Sequence, residues 1–465
     1  MKRFINRVEE LSALEREYKA DGSSFVVMYG RRRVGKTELI AEFIRDKDSL
    51  YFLATKESEA QNAKAFKAQA AEYLGNELLK SADADWARVF KMLADSRPET
   101  KKILIMDEFQ YIGQSNPAFP SIMQKIWETV LKNANVMLIL CGSLISLMKS
   151  QVLDYGSPLY GRRTSQINLK QIEFKYYGDF FPATKTAEEL LPYYAVTGGV
   201  PKYIEVFNLY DDIFKAIEEN VLRSTSFLYE EPYFLLQQEV QEIGSYFSLI
   251  KAIAAGNRKL ADISSALGVP STGLTKYLKV LIDLDLVERE VPVTEPSPEK
   301  SKSGLYRIKD NYIAFWFKFV YPYQSNLAKG ETGHVLERIK QGFVQNFASY
   351  IYEDICREKM WELLSRGKFK FPFNKVGSYW GPKTGQTDIV ALDTVEKNLI
   401  VGECKYTTSP KGLDCLHNLE AKVTALAELT ASNAVQFVIF STAGFTQGLK
   451  DAAKKNSDIV LVDKL

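Results

Sequence analysis

Cysteine and histidine are scarce. Four cysteines, at positions 141, 356, 404 and 415, and two histidines, His334 and His417, are spread over 465 residues, and no two cysteines form a C-x-x-C pair. That scarcity argues against a structural zinc site and against a disulfide framework. An excess of one charge is also missing: 60 Lys and Arg face 58 Asp and Glu, a net charge of +2. No bulk field draws the chain to nucleic acid, so any basic surface must be local. Long apolar runs are absent too. Stretches such as VMLILCG at 136–142 are strand length, far short of a membrane span, and no membrane partner is expected. The first residues, MKRFINRVEELSALE, are charged and helical in pattern rather than a signal peptide. A reducing cytoplasm is the expected compartment.

What is present is an ordinary globular balance, 46% hydrophobic and 25% charged residues. The length is too great for one core, and roughly two to four domains are expected. The spacing predicts an α/β chain: a phosphate-binding core over 1–168, a helical lid over 169–240, a winged helix over 241–310, a connecting helical segment over 311–340 and a second α/β domain over 341–465.

FVVMYGRRRVGKTELIAEF reads as buried strand, loop and amphipathic helix, and Gly30, Gly35, Lys36 and Thr37 fit G-x-x-x-x-G-K-[ST]. The glycines let backbone N–H groups close around phosphate oxygens, Lys36 reaches the β/γ-phosphates, and the Thr37 hydroxyl can ligate Mg2+. Arg33, Val34 and Glu38 complete the expected nucleotide contacts; for Arg31, Arg32 and Arg33, phosphate contact and plain exposure remain open. KKILIMDEF at 101–109 supplies a second buried strand ending in Asp107 and Glu108. Asp107 is expected to hold Mg2+ through water and Glu108 to orient the attacking water. A third strand, NVMLILCGS at 135–143, ends in Ser143, a candidate γ-phosphate sensor. Arg162 and Arg163 follow in a loop. Two readings stay open for them: an arginine finger, in cis or across a subunit boundary, or a surface ion pair.

FINRVEEL at 4–11, GRRRVGKT, LIMDEF, LILCGS and SPLYGRRT together resemble the prokaryotic, archaeal-type ATPase family related to AAA+ and STAND ATPases. TGGVPKYIE at 197–205 resembles the G-x-P element of that family's lid, and the resemblance implies that Pro201 packs near the adenine. ATP, ADP and Mg2+ are the ligands it implies. Relatives often form rings, and the sequence leaves the oligomeric state open.

Between 241 and 310 the pattern is helix to Gly256, helix to Gly268, a third helix with Ser271 as its expected N-cap, then VEREVPV and GLYRIKD as a hairpin. Lys276 and Lys279 share a face of the third helix, and Lys300 and Lys302 lie in the wing. DNA contact and a protein-partner role remain open for this module.

QTDIVALDTVEKNLIVGECKY at 386–406 predicts strand 387–393, turn 394–397 and strand 398–406. If Asp393 pairs with Asn398, Asp388 falls opposite Glu403, with Cβ atoms about 5 Å apart. Lys405 then shares the face of Glu403, and Cys404 points to the core. Two carboxylates and a lysine are what metal-dependent phosphodiester cleavage needs, with Mg2+ or Mn2+ as the ion; spacing alone equally allows a surface ion pair. D-x14-E-C-K resembles the PD-(D/E)xK restriction-endonuclease-like core. The resemblance implies Glu353, in FASYIYEDICREKMW, as a further acidic metal-site residue. The functional expectation is an ATPase acting on DNA whose ATP state controls a nuclease-like domain. The alternative is a STAND-like signalling switch with an inactive nuclease-derived binding module. A purely structural role for the nucleotide is a third reading.

Overall fold

The computed structural model describes residues 4–182, 184–381 and 385–465. The chain divides into two compact units: Met1–Ile172 with Val200–Lys202 and Gln237–Gln241, and Glu173–Gly199 with Tyr203–Leu236 and Glu242–Leu465.

The first unit is built on a five-stranded parallel sheet of β1 (Ser24–Tyr29), β2 (Ser49–Leu53), β3 (Lys102–Asp107), β4 (Val136–Gly142) and β5 (Ser165–Asn168), in the order β2-β3-β4-β1-β5. Every residue of β1, β3 and β4 is buried, as expected for sheet strands covered on both faces. Val26, Met28, Ile103, Ile105, Met137, Ile139 and Cys141 form one inner face, closed by Leu14, Leu39, Ile40 and Phe43 from the helices Val8–Lys19 and Lys36–Ile44. β4 lies between β1 and β3, so Ser143 ends the strand that separates the phosphate loop's strand from the strand of Asp107 and Glu108. Parallel strands in this order place the loops after β1, β3 and β4 side by side at their carboxyl ends.

The second unit contains two sheets. The helices Ile243–Ala254, Leu260–Leu267 and Ser271–Asp283 precede the antiparallel pair β6 (Val287–Glu290) and β7 (Leu305–Ile308), the helix–helix–helix–hairpin order read from sequence. Ser271 is not the cap of the third helix. Pro270, in extended geometry, occupies that position without a side-chain cap, and Ser271 is the first helical residue.

The last sheet runs β12-β11-β10-β9-β8, from β8 (Lys375–Gly381), β9 (Gly385–Asp393), β10 (Asn398–Lys405), β11 (Ala434–Ser441) and β12 (Ile459–Val462). β8, β9 and β10 are antiparallel neighbours, while β10, β11 and β12 are parallel. The helix Ser349–Ser365 precedes the sheet in sequence, and a second helix, Leu413–Thr430, connects β10 to β11. Val390, Leu392, Leu399, Val401 and Ile439 pack with Cys415, Leu416 and Leu419 of the second helix. Gly402 lets β10 and β11 approach, because a Cβ there would lie 2.5 Å from a Val438 methyl.

Candidate functional site

The loop after β1 turns into the helix Lys36–Ile44 through Gly35, whose φ of 94° suits glycine. A Cβ at Gly30 would overlap the carbonyl oxygen of Leu169, so the loop can lie against the chain after β5 only with glycine there. Val34 is buried, and its carbonyl accepts from Arg7 Nη2 at 3.0 Å; the same nitrogen donates to the Lys170 carbonyl at 2.6 Å. Arg31 is buried, while Arg32 and Arg33 are exposed, Arg33 in the left-handed region at φ 68°. Arg32 donates to the Tyr111 hydroxyl at 2.6 Å.

Lys36 is buried and donates to the carbonyls of Gly30 at 2.8 Å and Arg31 at 2.9 Å. Burial holds its pKa below the ordinary lysine value, against the opposing pull of Cys141, Glu108 and Asp107. An ammonium curled into its own loop, with no salt bridge among the described residues, is a cation that an incoming phosphate can recruit. Thr37 Oγ1 stands 3.5 Å from Asp107 Oδ2, so two hard oxygen donors front the same loop and fit Mg2+. Tyr51 of β2 donates to that same Asp107 oxygen, and Asp107 Oδ1 accepts from the Glu108 N–H at 2.8 Å. Glu108 takes a positive φ of 53°, an uncommon conformation for a non-glycine residue. Its Oε2 accepts from Ser143 Oγ at 2.7 Å and from Gln110 Nε2. Beside Gly35, a Cβ built on the glycine would lie 4.0 Å from both Pro201 Cγ and Glu38 Oε2. The fold therefore gathers Gly30, Gly35, Lys36, Thr37, Asp107, Glu108, Ser143 and Pro201 at one end of the sheet.

Arg162 and Arg163 are not gathered there. β5 runs parallel to β1 with Ser165 beside Val26, and the Thr164 N–H bonds the Phe25 carbonyl. The arginines thus enter at the amino end of the sheet, Arg163 six strand positions and Arg162 seven below Gly30, or roughly 20 Å at ~3.3 Å per residue. That separation corrects the cis half of the arginine-finger expectation. Arg162 pairs with Glu128 at 3.1 Å, the ion-pair alternative, while Arg163 lies over the Tyr160 ring at 5.8 Å.

In the last sheet the ladder pairs Asn398 with Asp393 and continues to Gly402 with Ile389. The next position places Asp388 opposite Glu403, the register read from the four-residue turn. There the Asp388 carboxylate takes over the strand's hydrogen bonding, its Oδ2 accepting from the Cys404 N–H at 3.0 Å. Burial and the Glu403 charge raise the Asp388 pKa, against the Cys404 hydrogen bond and the Lys405 and Lys422 charges. Glu403 Oε1 pairs with Lys405, while its Oε2 is buried without a hydrogen-bond partner among the described residues. For Lys405, burial is outweighed by Glu403, so its pKa is raised. Glu353 lies 3.7 Å from Arg357; burial, reinforced by Asp388, pushes its pKa up to about 8. An orphaned carboxylate oxygen among carboxyls with raised pKa fits a hard cation. Among the described residues, no group of three or more His, Cys, Asp or Glu is arranged to hold a metal ion; Asp388 and Glu403 are the pair that the ladder brings together, and Glu353 feels the Asp388 charge. Cys404 is buried toward Cys356, as read, and His417 is exposed.

Several participants escaped sequence reading. Tyr51 and Gln110 hold the two carboxylates of the nucleotide site. Glu239 accepts from the Ile145 N–H at 3.3 Å and from Ser146 Oγ at 3.1 Å, directly after Ser143. Lys422, by contrast, lies on the helix after the hairpin, where the sequence already allowed it to face the site; it donates to the Gln386 carbonyl at 2.9 Å and acts electrostatically on Asp388. No local motif marks these residues. Only Arg7 carried a signal, as part of FINRVEEL.

A phosphate loop, an Asp-Glu pair and a polar third strand end on a parallel sheet define a P-loop ATPase domain. Residues 4–207 match an ATPase domain family predominantly from Archaea, and residues 316–422 match a family described as archaea bacterial proteins of unknown function. An uncharacterized protein of Methanocaldococcus jannaschii is 36% identical over 403 residues, covering 87% of this chain and 87% of the relative. The chain belongs to this archaeal-type ATPase family. An uncharacterized ATP-binding protein of the same organism is 50% identical over 44 residues, covering 10% of this chain and 75% of that protein. The Walker-type ATPase of Pyrococcus abyssi shares the fold with a TM-score of 0.52 at 19% identity, covering 68% of this chain and 96% of that one. Among the described residues, no helix is long and apolar enough to cross a membrane.

Proposed function

We propose that the chain is an ATP-hydrolysing protein that acts on DNA, its nucleotide state controlling a metal-dependent nuclease centre at Asp388, Glu403 and Lys405. Gly30, Gly35, Lys36 and Thr37 bind the phosphates, with Arg33, Val34 and Glu38 flanking them and Pro201 beside the loop. Thr37 and Asp107 hold Mg2+, Glu108 orients the attacking water, and Ser143 positions Glu108. Arg163 is the better candidate for a finger supplied to a neighbouring subunit, because Arg162 is engaged with Glu128.

The observation that carries the nuclease half is the unpartnered Glu403 Oε2 beside Asp388, on the strand that also presents Lys405. A bound Mg2+ or Mn2+ there would polarise a phosphodiester and lower the pKa of its water. Asp388 and Glu403 would hold the ion, and Lys405 would offset charge developing on the phosphate. The three-helix and hairpin module, with Lys276, Lys279, Lys300 and Lys302, is the proposed winged helix that contacts DNA or a protein partner.

A second reading has its own support. The Glu403–Lys405 ion pair and the want of a third aligned carboxylate suit an inactive, nuclease-derived binding module in a signalling switch. Incubation with single- and double-stranded DNA and Mg2+ or Mn2+, with and without ATP, separates the two. Cleavage abolished by Glu403→Ala supports the nuclease, and its dependence on Lys36 tests ATP control. ATP turnover without cleavage of any substrate favours the switch.

A further inference from the structure

The second unit holds a cavity of about 400 Å3 that neither the nucleotide loop nor the Asp388 centre accounts for. It lies between the β6–β7 hairpin, the segment 311–347 and the helix Ser349–Ser365, and it falls within the size range, about 300–1,000 Å3, that encloses a small organic ligand. Its charged floor is internally neutralised. Arg307 grips Asp354 with two bonds of 2.7 and 2.9 Å, and Arg357 closes on the same carboxylate.

Two cations of the wall are less fully engaged. Lys318 makes no ion pair among the described residues; its ammonium donates to the Asn346 carbonyl, and burial alone lowers its pKa. Arg258 reaches Glu290 at 2.5 Å through Nη2, but its Nε is buried without a hydrogen-bond partner. Two aromatic rings, Trp380 and the exposed Tyr350, belong to the same lining. The Lys318 ammonium and the orphaned Arg258 Nε–H, beside two aromatic rings, suit a ligand with an anionic group and a π-system.

We propose that this cavity is a second nucleotide site, which takes a base against Trp380 and Tyr350 and a phosphate at Lys318 and Arg258. The nucleotide has two chemical sources: a free mononucleotide, or one unpaired nucleotide of a strand. Arg357, in the cavity wall, donates to the Asp388 carbonyl at 2.9 Å, so a strand held here would pass beside the Asp388 centre. The pocket itself requires no metal and no cleavage.

The test uses the full chain carrying Lys36→Ala, which removes phosphate capture at the first site, in EDTA. Thymidine monophosphate is titrated by calorimetry, and a fluorescein-labelled oligothymidylate of about eight nucleotides by anisotropy. At least one is expected to bind, about tenfold more weakly after Trp380→Ala and after Lys318→Ala. Lys318→Arg should recover the loss. Lys318 is exposed, so its variant keeps the test meaningful if Trp380→Ala does not fold. Mononucleotide binding identifies a free ligand; oligonucleotide binding alone identifies a strand. Failure of both to bind, or binding unchanged in both variants, overturns the proposal. Failure of DNA cleavage with this binding intact overturns only the nuclease reading.

Discussion

Ser143 Oγ donates to Glu108 Oε2 at 2.7 Å, so the polar residue ending β4 directly holds the acidic residue following β3. Gln110 donates to the same oxygen, leaving Glu108 restrained in a left-handed backbone conformation. Removing the base function should therefore separate binding from hydrolysis. Glu108→Gln is expected to bind ATP normally while turnover falls by about 10²–10⁴-fold. Ser143→Ala should lower turnover with little change in ATP affinity. Equilibrium binding and steady-state phosphate release check both; equal losses in affinity and turnover would remove Glu108 from the water-orienting role.

Lys36→Ala should abolish ATP binding, because it deletes the ammonium that the fold keeps buried and, among the described residues, unpaired with any carboxylate. The position of Arg163 at the far end of β5 turns this variant into a tool. If Arg163 serves a neighbour, Arg163→Ala and Lys36→Ala are each inactive alone, yet their mixture recovers activity at composite sites. A mixture no more active than its parts would place Arg163 outside catalysis.

The nucleotide site was legible because its signals are local. A glycine-rich loop, its lysine and an Asp-Glu pair each sit within a few residues of a buried strand. The Asp388–Glu403 register was legible for a related reason: a four-residue turn fixes strand pairing, and side chains alternate with period two. What distant segments supply was not legible. Tyr51 reaches Asp107 only because crossover connections lay β2 alongside β3, and Glu239 reaches Ile145 across 94 residues of sequence. The location of Arg163 depended on strand direction, which its surrounding loop does not encode. Ser271 misled because its hydroxyl suits a cap, whereas Pro270 before it sets the extended geometry at which the helix begins.

Glu403 and Asp388 are two half-buried carboxylates, Glu403 paired with Lys405 and Asp388 under the charges of Lys405 and Lys422. Without divalent cations, Asp388→Asn should raise the thermal midpoint by about 2–4 °C, since it removes like-charge repulsion while keeping an acceptor for the Cys404 N–H. With Mg2+ or Mn2+ and no nucleotide, the wild type should gain stability and Glu403→Gln should not. A cation-induced shift of the same size in Glu403→Gln would show that the ion binds elsewhere.

Glu239 gives a pH test at the nucleotide end. Burial raises its pKa, against hydrogen bonds from Ile145 and Ser146 and the charge of Arg31. A carboxyl whose pKa is higher folded than unfolded binds its proton more tightly in the native state. Its contribution is fully present below the ordinary carboxyl value and is lost as pH rises through the raised one. Glu239→Gln keeps an acceptor and does not titrate. Its thermal midpoint should therefore gain on the wild type as pH climbs from about 5 toward 8, with the two closest at the acidic end. Melting curves across that range decide it. A difference independent of pH would mean that Glu239 is ionised in the folded protein and acts as a fixed acceptor behind Ser143.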